Sequence, residues 1–169
     1  MTPAKTSESC KRSFPPVVDS HTRILILGSL PGEISLAQSQ YYANRHNRFW
    51  ALIGAVIGED LPAMAYPDRL QTLLRHRIGV WDVVAEARRD GSLDSNIRNP
   101  SSNDLLGLAH GLPELAVIAF NGATAARIGL KQLGSGAGRY RIIRLPSSSP
   151  AHTQAFAEKL AAWQVLATC

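Results

Sequence analysis

Four short runs of apolar residues along the chain are each long enough for one buried β-strand. They cover residues 23–27, 79–84, 115–120 and 140–145. The runs are continuous rather than alternating, which is the pattern of strands covered on both faces of a sheet. We therefore expect four parallel strands in one sheet.

Between these runs, apolar residues recur every three or four positions, as they do in amphipathic helices. The predicted helical segments are 47–58, 66–79, 101–112, 121–134 and 149–166. The apolar face of the first comprises Phe49, Leu52, Ile53 and Val56, and that of the last comprises Phe156, Leu160, Trp163 and Leu166. Strands that alternate with helices predict an α/β fold, a three-layer α/β/α sandwich with a central four-stranded parallel sheet.

A chain of 169 residues suits one domain with a sizeable core. Residues 1–20 are polar and contain prolines, so we expect a flexible N-terminal leader followed by a single domain over residues 21–169. The leader lacks the apolar segment of a signal peptide, and no apolar run approaches membrane-spanning length. We expect a cytoplasmic monomer with no membrane partner.

The cysteines and histidines give no pattern of metal ligands. Cys10 and Cys169 lie at opposite ends of the chain, and the five histidines show neither HxH nor HExxH spacing. Structural zinc and iron–sulfur clusters need closely spaced ligands. We therefore expect no metal and no cofactor.

The net charge is +5, and most of the 18 basic residues are arginines. Arginine makes planar, bidentate contacts with phosphate, which favours a nucleic-acid partner. A soluble basic protein with no polyanion partner is the alternative, because a charge of this size is common.

Polar loops follow all four predicted strands: "GSLPGEIS", "DVVAEARRDGSLDSNIRNP", "NGAT" and "PSSSPAH". Ligands of open parallel sheets bind beyond the carboxyl ends of the strands, so we expect the site among these loops. The first loop has neither the GxGxxG nor the GxxxxGK[ST] pattern of nucleotide sites, and by itself it could be only a structural turn.

The serine run before Pro150 has two interpretations. Its hydroxyl and backbone N–H groups, at the start of a helix, would suit a phosphate. Alternatively, Ser149 is only the N-cap of the last helix, with Pro150 in the first helical position.

Taken together, "GSLPGEISL…QYYANRHNRFW", "GVWDVV…RRDGSLDSNIRNPSSNDL", "FNGATA" and "LPSSSPAH" resemble the uracil-DNA glycosylase superfamily. The resemblance extends over residues 24–163 in the same order and is closest to the hypoxanthine-DNA (deoxyinosine) glycosylase branch. A related branch, the mismatch-specific uracil-DNA glycosylases, shares the "NRFW" element. The combination of motifs is far more specific than any one of them.

The resemblance implies catalytic residues. Many members carry a catalytic Asn or Asp two residues after the first glycine, where this chain has Leu30. In the hypoxanthine branch the catalytic amide is the asparagine before the aromatic pair, here Asn47, which would orient the attacking water. That branch usually has His and Pro where this chain has Asn44 and Arg45. Ser147 stands where other members place the His or Asn that stabilises the departing base.

The resemblance also implies a base pocket and a DNA-binding surface. The implied pocket residues are Gly28, Ser29, Leu30, Pro31, Gly32, Tyr41, Tyr42 and Phe49. Ring stacking on Phe49 would hold a flipped base. The implied DNA-binding residues are Ser35, Arg45, Arg48, Ser148, Ser149, Pro150, Ala151 and His152.

Several alternatives stay open. Asp82 and Asp94 are candidate catalytic carboxylates or else turn and cap residues, and Phe49 and Trp50 could both belong to the core. The leading hypothesis is a monofunctional glycosylase that acts on double-stranded DNA containing a deaminated base, hypoxanthine. A mismatch-type uracil-DNA glycosylase and a non-catalytic nucleotide or nucleic-acid binding module are the other two.

Overall fold

The computed structural model describes residues 10–169. Within this range, the strands are β1 (Cys10–Arg12), β2 (Ile24–Gly28), β3 (Ile78–Asp82), β4 (Val84–Arg88), β5 (Arg98–Ser102), β6 (Val117–Asn121) and β7 (Arg141–Leu145). The central sheet has the order β3–β2–β6–β7, and its neighbouring strands are all parallel. The predicted four-stranded parallel sheet is therefore confirmed.

Helices cover both faces of this sheet. They are α1 (Glu33–Gln38), α2 (Phe49–Ile57), α3 (Tyr66–Arg75), α4 (Leu105–His110), α5 (Ala123–Leu133) and α6 (Phe156–Trp163). In β2, Ile24 and Ile26 pack into one core cluster with residues of α2, α3 and α6. Leu25 and Leu27 pack into the other with residues of α4 and α5. Burial on both faces explains why the strand sequences are continuously apolar, and the three-layer sandwich is confirmed.

The predicted C-terminal end of the second strand, residues 79–84, is wrong. The parallel strand stops at Asp82, because Val83 donates its N–H to Gly28 O and accepts from Asn103 N, which turns the chain out of the sheet. From Val84 the chain forms a second, antiparallel sheet in the order β1–β4–β5. The segment after the second predicted strand, which was expected to be a polar loop, therefore contains β4 and the exposed strand β5.

Part of the expected flexible leader packs on the domain. β1 pairs with β4, the hydroxyl of Tyr41 donates to Pro15 O (2.9 Å), and the indole of Trp81 donates to Phe14 O (3.0 Å). The expectation of flexibility is therefore wrong from Cys10 onward. Residues 1–9 lie outside the described residues. No helix of residues 10–169 is long and apolar enough to cross a membrane.

The last helix begins at Phe156, not near Ser149. Its N-cap is Ala155, so the alternative in which Ser149 caps the helix is wrong. Phe156 is exposed, contrary to the predicted apolar face, because it lies at the end of the helix away from the core. Trp163 is fully buried, and its indole N–H donates to Pro146 O (2.9 Å). The core therefore holds the start of the loop that follows β7.

Replacing Trp163 with Phe should destabilise the protein by about 1–3 kcal/mol, because the carbonyl of Pro146 loses its donor. Urea denaturation measures this as a lower free energy of unfolding. Glu158→Gln, an exposed position on the same helix, is the control and should change that value by less than about 0.5 kcal/mol. Equal stability of Trp163→Phe and the wild type would contradict the proposed anchoring of the loop.

Candidate active site

The four parallel strands end at the same edge of the central sheet. Gly28 pairs with Asp82, and Asn121 pairs with Leu145. These are the final residues of β2, β3, β6 and β7, and polar loops follow each of them. The register of the sheet thus brings together the loops that the sequence analysis singled out.

The glycine loop, residues 29–32 after β2, is held by hydrogen bonds to the loop that follows β4. The hydroxyl of Ser29 donates to Asp94 Oδ1 (2.6 Å), and the backbone N–H of Glu33 donates to Ser92 Oγ (2.9 Å). A Cβ on Gly32 would stand 3.2 Å from Ser92 Oγ, so glycine allows this close approach. Asp94 is therefore a residue that positions the glycine loop.

Arg89 is a buried side chain that forms hydrogen bonds with both of these loops. Arg89 is 2% exposed, and its guanidinium donates to the carbonyl groups of Leu30, Pro31 and Gly91. Burial lowers the pKa of Arg89, while Asp94, Glu33 and Asp82 raise it. The buried cation thus donates to backbone carbonyls of both loops, and Lys11 Nζ also donates to Gly91 O (2.7 Å).

The loop before α2 carries Asn47. Its side-chain Oδ1 accepts from the backbone N–H of Phe49 (2.9 Å), which forms an Asx turn directly before the helix, whose N-cap residue is Arg48. The next backbone N–H, of Arg48, donates to Ser148 O (3.0 Å). Asn47 is half-buried, and Arg45 and Arg48 are exposed beside it. This loop is therefore fixed against the one that follows β7.

The serine loop, residues 146–152, forms hydrogen bonds with Asn121, the last residue of β6. The Asn121 Nδ2 donates to Ser148 Oγ (2.9 Å), and Ser148 N–H donates to Asn121 Oδ1 (2.9 Å). Lys159, which is 2% exposed, donates to Ser149 O (3.2 Å). Burial and the neighbouring Arg48 both lower the pKa of Lys159.

These contacts correct two predicted phosphate contacts. The hydroxyl of Ser148 is bound to Asn121, and Ser148 is 1% exposed. Ser35 is 5% exposed, and its Oγ accepts from the backbone N–H of Ala43 (3.0 Å). Both side chains hold loops and lie away from solvent, so neither fits the predicted role. Pro150, Ala151 and His152 are exposed.

Ser147 and Ser149 are both half-buried, and each shapes the turn. The Oγ of Ser147 accepts from Ser149 N–H (3.1 Å), and the Oγ of Ser149 accepts from Ala151 N–H (3.2 Å). A Cβ on Gly122 would stand 3.0 Å from Ser147 Cβ, so the loop packs closely on the start of α5. Their predicted roles toward the base and the phosphate stay predictions.

The predicted aromatic pocket is closed. Phe49 is fully buried, and the ring of Tyr42 stacks on it with centroids 3.9 Å apart and an interplanar angle of 17°. Tyr41 is 3% exposed and directs its hydroxyl to Pro15 O, away from Phe49. Leu30 packs into the core with Leu25, and Pro31 is also buried. Tyr41 and Leu30 therefore do not line a pocket, and Phe49 presents no open face.

Asp82 ends β3, an edge strand of the central sheet, beside Gly28 at the end of β2. It is 3% exposed, and a Cβ on Gly28 would stand 2.6 Å from its Oδ1. Burial, together with the charge of Asp94, raises the pKa of Asp82 to about 7, although Arg89 opposes this. A carboxyl group with such a pKa is close to half protonated at neutral pH. Perturbed carboxyl groups of this kind cluster at functional sites.

Asn121, Arg89 and Lys159 were not among the predicted site residues. Asn121 could have been found, since it is the polar residue that ends an apolar strand at the predicted ligand edge. Arg89 and Lys159 gave no such signal, because each resembles a surface cation in sequence. Only the tertiary contacts show that they hold the glycine and serine loops.

A cleft of about 580 Å³ lies beside the serine loop, on the side of α5. Its cationic lining comprises Arg127 and Arg144, and its lining also includes His152, Gly122 and Ser147. Clefts lined with charges of one sign concentrate ions of the opposite sign. The cleft therefore fits an anionic chain. No cluster of three His, Cys, Asp or Glu side chains suited to a metal occurs within residues 10–169.

Comparison with known proteins gives concordant findings. A family model described as the uracil DNA glycosylase superfamily matches residues 15–167. A hypoxanthine DNA glycosylase of Methanosarcina acetivorans is 44% identical over 156 residues, which is 92% of this chain and 97% of that protein. One of Methanosarcina barkeri is 39% identical over 155 residues, 90% of this chain and 95% of that protein. A solution NMR structure of a candidate uracil DNA glycosylase from Methanosarcina acetivorans has a TM-score of 0.83 and 43% identity, and the match covers 94% of this chain and 97% of that one.

The raised pKa of Asp82 makes stability depend on pH. An unfolded aspartate titrates near pH 3.9, about three units below the folded group, so the folded state is favoured most below about pH 4. This contribution is lost as pH rises to about 7 and stays lost above it. Asp82→Asn has no such proton, so it should be more stable than the wild type at about pH 8, and the advantage should shrink towards pH 4. Thermal unfolding of both proteins at several pH values measures the difference, and a constant difference would contradict the prediction.

Proposed function

Because this chain belongs to the uracil DNA glycosylase superfamily, we propose that it hydrolyses the N-glycosidic bond of hypoxanthine in DNA and leaves an abasic site. The observation that carries the proposal is its similarity, over nearly the whole length, to two proteins named hypoxanthine DNA glycosylase. The substrate is double-stranded DNA that contains the deaminated base. The monomeric state, the cytoplasmic location and the absence of a metal remain predictions.

The target base is flipped out of the duplex before the reaction, because the bond is not accessible within the stack. Bond cleavage then leaves positive charge on the sugar and negative charge on the departing base. Asn47 is the proposed group at the sugar, where its amide orients water and its oxygen faces the developing cation. The same oxygen accepts from Phe49 N–H in this structure, which fixes the side chain in one orientation. An orientation fixed in advance is what electrostatic stabilisation of a transition state requires.

The exposed tip of the serine loop lies between two groups of cations. Arg45 and Arg48 are on the side of α2, and Arg127 and Arg144 line the cleft on the side of α5. Arginine side chains in this arrangement would contact the phosphates on either side of the flipped nucleotide. Pro150, Ala151 and His152 would then enter the base stack, supported by the hydrogen bonds that hold the loop. The Cζ atom of Arg48 also lies 5.8 Å from the centroid of the exposed Phe156 ring, and this cation–π contact restricts the orientation of the arginine.

The proposed function is tested with labelled duplexes that contain inosine, uracil, xanthine or adenine at one position. We expect release of hypoxanthine, little release of uracil and none of adenine, seen as strand breaks after alkali treatment. Strands should stay intact before alkali, because a monofunctional enzyme leaves the abasic site uncut. Uracil release as fast as hypoxanthine release, in parallel single-turnover reactions, would favour the mismatch-type uracil glycosylase. No release from any duplex would favour the non-catalytic binding module.

Two substitutions separate the catalytic role of Asn47 from its role in the turn before α2. Asn47→Ala removes both and should slow base release by about a hundredfold while lowering stability by about 0.5–1.5 kcal/mol, the contribution of one hydrogen bond. Asn47→Ser keeps a side-chain oxygen that can accept from Phe49 N–H but is too short to reach the sugar, so it should slow release equally with stability retained. Single-turnover rates and urea denaturation measure the two effects. A rate for Asn47→Ser close to the wild type would limit Asn47 to its role in the turn and move the catalytic role to Asp94 or Asn96.

A further inference from the structure

Near the ends of β2 and β3, two buried side-chain oxygens, Tyr42 Oη and Asp82 Oδ2, have no hydrogen-bond partner among residues 10–169. The Tyr42 hydroxyl and the Asp82 carboxyl group face the same glycine, since a Cβ on Gly28 would stand 2.7 Å from Tyr42 Oη and 2.6 Å from Asp82 Oδ1. Leaving a buried polar atom unpaired costs about 1–3 kcal/mol, so native structures rarely keep such atoms without a reason. Two in contact with one glycine indicate a place for a ligand.

Tyr42 itself is held in an unfavourable conformation. Its φ angle is 55°, in the left-handed region that costs roughly 1–3 kcal/mol for residues other than glycine. Its ring nevertheless lies flat on Phe49, the predicted platform for the base, and its hydroxyl points to Gly28 and Asp82. A planar ring stacked on Phe49 with an oxygen beside Asp82 has the layout expected of a bound nucleobase.

We infer that Asp82 is a catalytic residue that donates a hydrogen bond to the oxygen of the departing base, in the place that Tyr42 Oη holds in this structure. The inference rests on the proposed function. The flipped base would replace the ring of Tyr42 on Phe49, and its 6-oxygen would take the position of the hydroxyl. The carbonyl oxygen of the Asp82 carboxyl group would accept from N1–H of the same base.

This role stabilises the departing base, for which Ser147 stands at the position that other members of the superfamily use. When the bond between C1′ and N9 breaks, its electron pair stays on the base, and the negative charge spreads to the 6-oxygen. A neutral carboxyl group strengthens its hydrogen bond to that oxygen as the charge develops, whereas a carboxylate would repel it. Water forms the new bond to C1′ and loses a proton to solvent, and the base anion takes up a proton, so the reaction is a hydrolysis.

The surroundings of Asp82 favour the neutral form. Burial and Asp94 raise its pKa to about 7, although Arg89 acts to lower it. The phenol groups of Tyr41 and Tyr42 also face this carboxyl group, and both stay neutral because burial and the charge of Asp82 raise their pKa values. A base that excludes the remaining water would favour the proton further.

The pH dependence of single-turnover release from inosine-containing duplexes tests the inference. Since the protonated form is active, the wild-type rate should fall as pH rises from about 7 to 9, approaching tenfold per pH unit. Asp82→Asn keeps a neutral donor and acceptor of the same shape, so its rate at about pH 6 should stay within tenfold of the wild type and should not fall with pH. Asp82→Leu removes the donor and should slow release by about a hundredfold at about pH 6.

The exposed Asp68 on α3 is the matched control, and Asp68→Asn should keep the wild-type rate and pH profile. A wild-type rate that is constant or rises over this range, or an Asp82→Leu rate equal to the wild type at about pH 6, would overturn the inference while hypoxanthine release still supports the proposed function. Absence of hypoxanthine release from the wild type at every pH would overturn both. If Asp82→Leu fails to unfold cooperatively, the wild-type and Asp82→Asn profiles decide the question.

Discussion

The arrangement of the site depends on one buried pair of hydrogen bonds, between the amide of Asn121 and Ser148. Asn121 belongs to the sheet, so its position is fixed by the strand register. The hydrogen bonds to Asn121 fix Ser148 within the serine loop. The carbonyl of Ser148 in turn accepts from the backbone N–H of Arg48, next to Asn47. Two groups that are distant in sequence, Asn47 and Ser147, are thereby placed relative to the same strand end. Because both members of the pair are buried, loss of either leaves the other unsatisfied.

Charge is divided between the inside and the outside of this edge. Asp82 and Arg89 are buried, with Asp94 half-buried beside them, whereas Arg45, Arg48, Arg127 and Arg144 are exposed. Carboxylates close to a polyanion would oppose its binding, and Arg89 offsets them from within the protein. The outer arginines are left to face the phosphates. The modest net charge of the whole chain therefore understates the positive charge of the proposed DNA surface.

The sheet and the faces of α2 could be predicted from the sequence because burial on two faces imposes a continuous apolar pattern. The strands of the second sheet could not, since β1 has three residues and β5 is exposed along its length, so neither has an apolar pattern. The roles of the three serines could not be assigned because a loop has no periodicity to tell an inward side chain from an outward one. Phe49 was identified as important, but only its stacking partner Tyr42 shows that its face is covered. Arg89 acts on residues almost sixty positions away, which no local pattern reveals.

With Tyr42 already stacked on Phe49, capture of a flipped base exchanges one ring for another. Similar apolar areas are buried before and after the exchange, so the hydrophobic contribution largely cancels. The net free energy of capture then comes mainly from the polar edge and from the relief of the strained Tyr42 backbone. A base whose edge does not match gains little over the ring that it must displace. Because the ring of Tyr42 already covers Phe49, a base binds only if its interactions there are more favourable than those of the tyrosine ring. Selectivity among bases then depends on the difference between these two free energies.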